Sequence, residues 1–431
     1  MRSTISIPTA PPHTRAAFAN WGVPAFRHYW SSPFARARLE AAGIRDGAIP
    51  TPEEFARITP TTKDELRQFS DEAFYRDFVR CAPTDIATVW RSGGVTGRPL
   101  FYPRARRDFP VLVESFMRCL DMLGVGRGDL LQNSFPLGLH PLGNMFNAAA
   151  ERMEIGTLSA GAGTTTASET QVKLLFDLHP TAFVGLASYL VHLGHIAEAE
   201  NRDLRSAGVR VMINSGEALT PAKRQRIQNS WGTTLRNTYG MSECSMMGAE
   251  CEVGDGFHVW TDMFYLEILD PTDWATVPRG KVGMIVVTPL HNCSATPFLR
   301  WVSGDLGSFL EDCNCSSPYR VFPRVRLAGR TSGFSKVKGV NVNHQEMDDV
   351  LLSLESVADF CVWFELSEGE DRIRIEVESS SDRSAADAMN DVSVRVRQLF
   401  EVRPVVQPLP RGTIARRLEE EVKPLRFRDL R

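Results

Sequence analysis

Two spacings of apolar residues alternate along the first half of this chain. Short extended runs such as "IATVW", "DLLQNSF", "EIGTLSA", "AFVGLAS" and "GVRVMINSG" have the length and branching of buried strands. Between them lie "RDFPVLVESFMRCLDMLGV", "ETQVKLLFDLHP", "YLVHLGHIAEAE" and "TPAKRQRIQNSWG", whose apolar residues recur at helical spacing. This alternation predicts α/β units on a largely parallel sheet. The first ~85 residues read as mostly helical, with "SSPFARARLEAAGI" and "TPEEFARI" as separate segments. In "ITPTTKDELRQF", Thr61 or Thr62 is placed to cap a helix whose first turn holds Asp64 and Glu65. Over 257–310 the period shortens to that of strands, in "FHVWTDMFYLEILD" and "KVGMIVVTPL", so an antiparallel section is expected there. Beyond Gly329, strand and helix patterns resume in "QEMDDVLLSL", "VADFCVWFEL", "DRIRIEVE" and "AADAMNDVSVRVRQLF". They predict a small α+β domain of about 100 residues. The expected fold class is α/β, with a large N-terminal domain of mixed sheets over 1–328 and a small C-terminal α+β domain over 329–431.

Composition narrows the function rather than the fold. A chain of 431 residues exceeds one ordinary core, and 43% hydrophobic with 23% charged residues is usual for a globular protein. The formal net charge of −3 gives no electrostatic reason to expect nucleic acid or an anionic membrane as partner. No run of about 18 apolar residues is present to span a bilayer, and "MRSTISIPTAPPHTR" lacks the apolar stretch of a secretory signal. Eight cysteines in so long a chain do not suggest a disulfide scaffold, so a reducing, cytoplasmic setting is expected.

Several loops carry chemistry. "RSGGVTGRPLFYP" puts three glycines and two hydroxyls into seven residues between two extended runs. Unobstructed backbone N–H groups with two oxygens could wrap a polyphosphate, but alone the stretch reads more readily as a mobile turn. Its spacing excludes the Walker pattern. "NTYGMSECS" offers Tyr239 to stack on a flat ring, Gly240 to admit a close backbone, and Glu243 as a Mg²⁺ ligand. "NSGEALTP" follows a strand directly, where α/β sheets bind ligands. "RWVSGDLG" supplies Asp305 as an acceptor for ribose hydroxyls, and "LAGRTSGFSKVKGVNVNHQEMDD" supplies Arg330. Lys423 stands in "EEEVKPLRFRDLR".

In their order and spacing, "YGMSEC", "SGDLG" and "GRTSGFSKVKGVNVNHQEMDDVL" resemble the adenylate-forming superfamily of acyl- and aryl-CoA synthetases, and within it the phenylacetate–CoA ligase group. The resemblance runs from "SSPFARARLEAAGI" to the final arginine. It implies an AMP-forming acid–thiol ligase. ATP and an acid, aryl or arylalkyl, give an acyl-adenylate and pyrophosphate, and a thiol then takes the acyl group as the C-terminal domain rotates. Attack by a carboxylate on the α-phosphate needs alignment and charge neutralisation more than a general base. Carried onto this chain, Ser92, Thr96 and backbone N–H groups, with Gly94 and Gly97, would hold the β- and γ-phosphates. Gly216, Glu217, Tyr239 and Gly240 would frame the adenine, and Asp305 and Arg330 would bind the ribose. Ser242 would sit by the α-phosphate, Glu243 would hold Mg²⁺, and Lys423 would stabilise the adenylation transition state.

The chain departs from the group's pattern in several places. Gly93 and Val95 stand where hydroxyl residues are usual, removing two phosphate contacts worth about 1–3 kcal/mol each if charge-assisted. Val422 replaces the glycine before the lysine. Ser332, followed by Gly333, replaces an acid at the pivot, where glycine keeps rotation open.

The same resemblance implies a structural Zn²⁺ on Cys251, His258, Cys313 and Cys315, since three thiolates and an imidazole close a tetrahedral site. His291-x-Cys293 is a competing pair. It further implies an acid pocket around Phe135, Met145, Phe146 and Tyr189, with His140 facing a polar substituent, although phenylalanine and methionine most often simply fill cores. The expected partners are the acid, ATP, and CoA or a carrier-protein thiol or amine. Neither nucleic acid nor membrane is expected, and a homodimer is compatible with the sequence. A non-catalytic nucleotide-binding relative is the alternative from another class.

Overall fold

A computed structural model describes residues 26–91, 99–367, 370–419 and 426–431. The fold is α/β with mixed sheets and a smaller C-terminal α+β part. The chain divides into two compact units. One comprises the chain up to Leu131 with Leu137–Thr157 and Arg236–Arg330; the other comprises Gln132–Pro136, Leu158–Leu235 and Thr331–Arg431. Among the described residues no helix is long and apolar enough to cross a membrane.

In the first unit, strands Ile86–Arg91 and Phe101–Ala105 pair antiparallel, with Arg91 opposite Phe101, so the glycine-rich stretch joins two strands of a hairpin. The larger sheet of this unit is antiparallel throughout. Strand Thr234–Met241 is followed by Ser245–Ala249, Phe257–Val259, Arg324–Arg330, Trp301–Phe309, Gly283–Pro289 and Phe264–Leu269 in spatial order. The antiparallel section therefore begins more than twenty residues before 257, the start expected from periodicity. The reason is that Thr234–Met241 buries polar residues, Asn237 and Thr238, and Ser245–Ala249 is buried at every position, so neither shows an apolar alternation. Ahead of the sheet, Thr62 and Glu65 form a reciprocal capping box on helix Lys63–Gln68, so Thr62 is the cap. Such a cap is worth about 0.5–2 kcal/mol. Thr61 instead donates its buried hydroxyl to the Leu299 carbonyl at 2.7 Å.

In the second unit, Ala182–Gly185 and Val211–Asn214 pair in parallel. Helices Ser168–Leu178, Ala187–Ala199 and Pro221–Trp231 surround one apolar cluster that includes Leu190, Met212 and Trp231. The last of these helices starts as its sequence dictates, with Thr220 as cap and Pro221 in the first turn. It ends at Gly232, which takes the left-handed φ of 67° that a C-terminal cap favours.

The C-terminal residues of this unit form a four-stranded sheet in the order Val405–Leu409, Glu370–Ser379, Val357–Ser367, Phe427–Asp429. Helices His344–Ser353 and Ala385–Phe400 cover it through Met347, Leu351, Val392 and Val396. Lys338 and Gly339, at φ 47° and 87°, make the tight turn between Phe334–Val337 and Val340–Asn343.

Candidate functional site

The turn between Thr234–Met241 and Ser245–Ala249 places the "YGMSE" residues. Gly240 is required there, because a Cβ at that position would lie 2.7 Å from the Ser245 carbonyl oxygen. Tyr239, one residue earlier, is buried and donates its hydroxyl to Asp305 Oδ2 at 3.0 Å. Burial and the Asp305 charge push its pKa well up, so the hydroxyl stays protonated and able to donate. Asp305 lies within strand Trp301–Phe309, directly opposite Arg330 on the neighbouring strand. The Arg330 Nε reaches Asp305 Oδ1 at 2.8 Å. Three strands thus bring Tyr239 and Arg330 onto the Asp305 carboxylate.

Glu243 is buried in the turn itself. Its Oε1 accepts from the Tyr102 hydroxyl at 3.2 Å and lies 3.5 Å from Lys63 Nζ. Behind it sits Arg104, fully buried, which donates to the carbonyls of Ser242 and Glu243. The sequence reading assigned none of Tyr102, Lys63 and Arg104 to the site. Strand Phe101–Ala105 brings Tyr102 and Arg104 to the turn, and the start of helix Lys63–Gln68 brings Lys63.

In the second unit, Gly216 takes φ 79° just past the strand end, as the "SGE" turn requires. The Glu217 carboxylate is engaged locally. It accepts from the Ser188 N–H and hydroxyl, both at 2.7 Å, and so closes the first turn of helix Ala187–Ala199, which has no cap of its own. Lys223, itself buried, lies 3.6 Å from Glu217 and 3.1 Å from Asp348. Lys223 and Asp348 were also missed, being separated by more than a hundred residues.

The four expected metal ligands meet. Cys251 Sγ and Cys313 Sγ are 3.7 Å apart, and Cys315 Sγ lies 3.6 Å from His258 Nε2. All four donor atoms lie within 4.8 Å of one another. A zinc ion with ~2.3 Å bonds to sulfur has tetrahedral edges of about 3.8 Å, so the spacing fits. His258 Nδ1 faces the Phe322 carbonyl at 3.0 Å, which leaves Nε2 for the cluster. Cys293, the competitor, lies instead in the apolar cluster with Phe26 and Tyr29.

Of the acid-pocket residues, Phe135, Met145 and Phe146 are buried, and Phe146 packs edge-on against Phe116 at 5.0 Å. His140 precedes the first residue of helix Pro141–Arg152. Tyr189 shares a hydrogen bond with Ser168 at 2.8 Å. Ser92, Gly94, Thr96, Gly97 and Lys423, with the departures Gly93, Val95 and Val422, lie outside the described residues.

Residues 50–291 match the family described as AMP-binding enzyme. The chain is 30% identical over 335 residues to the phenylacetate-coenzyme A ligase of Thermus thermophilus, covering 76% of this chain and 73% of that one. To the enzyme of the same name from Escherichia coli it is 26% identical over 337 residues, 77% and 74% of the two chains. A crystal structure of 2-hydroxyisobutyryl-CoA ligase in the postadenylation state, in complex with R3-HIB-AMP, superposes with a TM-score of 0.84 at 26% identity, covering 97% of this chain and 90% of that one. The anthranilate CoA ligase AuaEII in complex with anthranoyl-AMP shares the fold, with a TM-score of 0.57 at 16% identity over 75% of this chain and 64% of that one.

Proposed function

The chain belongs to the AMP-binding enzyme family, in its phenylacetate–CoA ligase-like group, and from that membership we propose how its residues divide the work. The protein is an AMP-forming acid–thiol ligase. It activates a carboxylic acid with ATP, releasing pyrophosphate, and passes the acyl group from the adenylate to coenzyme A.

The single observation that carries the residue assignment is the meeting of Tyr239, Asp305 and Arg330. In our reading Asp305 accepts the ribose hydroxyls, held by the Tyr239 hydroxyl on one oxygen and Arg330 on the other. The Tyr239 ring, Gly240, Gly216 and the backbone of Glu217 frame the adenine. The Glu217 side chain supports this from behind through Ser188. Ser92, Gly94, Thr96 and Gly97 embrace the terminal phosphates, and Ser242 lies by the α-phosphate. Glu243 would hold Mg²⁺, which when bound supplies positive charge to the phosphates. Lys63 and Lys423 add further positive charge where negative charge develops during attack on the α-phosphate. Because the carboxylate of the acid is already a nucleophile at neutral pH, the chain needs no general base for this step. Phe135, Met145, Phe146 and Tyr189, with His140, are proposed to receive an aryl or arylalkyl acid. Cys251, His258, Cys313 and Cys315 would hold a zinc whose coordination is complete without water, so its role is structural.

Pyrophosphate release, measured with ATP, Mg²⁺ and a panel of aryl, arylalkyl and short hydroxylated aliphatic acids, tests the reading. Release with an aryl or arylalkyl acid, and thioester formation upon adding CoA, is the expected outcome. Preference for the aliphatic acids would overturn the acid assignment. Turnover that ignores CoA but proceeds with an amine or a carrier-protein thiol would overturn the acceptor. Lys423→Ala should abolish release while ATP still binds; a normal rate in that variant removes the lysine from the mechanism.

A further inference from the structure

The turn that carries Ser242 and Glu243 is held from beneath by an unusual set of donors. Three consecutive carbonyls, of Ser242, Glu243 and Cys244, point into the protein. Arg104 Nη2 donates to the first two, the second at 2.8 Å, and Asn292 Nδ2 donates to the third at 2.7 Å. Ser245, which leaves the turn, takes φ 87°. For a non-glycine residue such a conformation costs about 1–3 kcal/mol and persists only where surrounding contacts impose it.

Arg104 is built to impose it. Its guanidinium lies 4.5 Å from the Trp90 ring and 5.7 Å from that of Phe298, and Nη1 donates to Thr296 at 3.1 Å. Burial lowers its pKa to about 10, still leaving it charged at neutral pH. Nη2 meets the two adjacent carbonyls while Nη1 holds Thr296, so the planar fork fixes the orientation of the cation against that backbone, which a single ammonium centre would not.

Apart from Asn292, the groups that hold the turn come from the two strands on either side of the glycine-rich stretch. Trp90 is on Ile86–Arg91, while Arg104 and Tyr102 are on Phe101–Ala105; Tyr102 also donates to the Glu243 carboxylate. We propose that Arg104 is a positioning residue for adenylation, which sets the Ser242–Glu243 turn and so ties the metal-binding carboxylate to strand Phe101–Ala105. The proposal rests on the reading of Glu243 as the Mg²⁺ ligand.

Pyrophosphate release by the full chain, measured against Mg²⁺ concentration at saturating ATP and acid, tests it. Arg104→Met should raise the half-saturating Mg²⁺, or lower kcat at saturating Mg²⁺, by about 10-fold, the usual consequence of removing a group that orients a metal ligand. Arg104→Lys, which keeps the buried cation but not the fork, should show the same shift in smaller measure. Circular dichroism and thermal melting establish that each variant is folded. If Arg104→Met does not fold, Arg104→Lys decides, and a folded Arg104→Lys with the wild-type Mg²⁺ profile and kcat overturns the proposal. Glu243→Gln separates the two claims. A wild-type Mg²⁺ profile in Glu243→Gln refutes the metal-ligand reading. A shifted profile there, with unmoved Arg104 variants, refutes the positioning role alone.

Discussion

Asp305 presents its carboxylate between donors of unequal character. The Tyr239 hydroxyl is buried and holds one oxygen, whereas Arg330 is more than half exposed and holds the other. The buried bond constrains geometry more, since an exposed ion pair is weakened by solvent. Tyr239→Phe keeps the ring and removes only the hydroxyl. It should raise the KM for ATP about 3- to 10-fold, the equivalent of one hydrogen bond of about 1 kcal/mol, with kcat much less affected. Asp305→Ala removes the acceptor itself and should raise KM about 10- to 100-fold. An unchanged ATP KM in Asp305→Ala would remove the ribose assignment. At this scale the sequence exposed residues that sit in recognisable local patterns: Tyr239, Glu243, Asp305 and Arg330 each stand in a short glycine-containing motif. Arg104 stands in no such motif, and nothing in the stretches that hold Tyr102 and Lys63 marks them out. The cap that starts helix Lys63–Gln68 is local and legible, but the approach of all three side chains to the Ser242–Glu243 turn spans more than a hundred residues.

Among elements, the cysteine–histidine cluster draws together segments that are more than fifty residues apart in the chain. Cys251 follows strand Ser245–Ala249, His258 lies in Phe257–Val259, and Cys313 and Cys315 lie in the segment after Trp301–Phe309. That segment, from Leu310 to Ser316, has no regular structure, and Asp312 at its centre is fully exposed. Zinc would fasten it to the sheet. Purified protein should therefore contain about one zinc per chain, with chelation or Cys313→Ser lowering the melting temperature, because binding free energy of a structural metal is folding free energy. Zinc-free protein, with Cys313→Ser as stable as wild type, would leave four reduced thiol and imidazole groups with no structural role. These four residues are picked out in the sequence through the resemblance to the group, and the fold brings their donor atoms within 4.8 Å of one another. The early start of the antiparallel sheet was hidden, because Thr234–Met241 buries the polar Asn237 and Thr238 and Ser245–Ala249 is buried at every position, so the alternation that reveals a strand is lost in both.

For the molecule as a whole, the consequential contact is one that no periodicity could announce. Residues 331–431 fold into one unit with 158–235, joined by polar contacts beside the packing of Ala222 on the C-terminal apolar cluster. Lys223 is buried between Glu217 and Asp348, the Ala222 N–H donates to Asp349 at 2.8 Å, and Arg226 donates to the Leu352 and Ala358 carbonyls, both at 2.8 Å. Arg226 thereby satisfies the Leu352 carbonyl in the last turn of helix His344–Ser353, where a cation also suits the helix dipole, and the Ala358 carbonyl of strand Val357–Ser367. In the sequence, Lys223 is one of three cations in "AKRQR", and only the fold reveals that it is the buried one. Lys223→Met leaves two buried carboxylates without their shared partner and should cost about 3–5 kcal/mol. Asp348→Leu alone leaves Lys223 with Glu217 and should cost less. In the double variant, the loss should fall short of the sum by about 1–3 kcal/mol, the coupling expected of a buried pair in direct contact. Urea unfolding of the four proteins gives that coupling directly. A value near zero would mean that the apolar packing alone joins the C-terminal segment to the 158–235 segment, and that Lys223 is a tolerated burial rather than the link between Asp348 and Glu217.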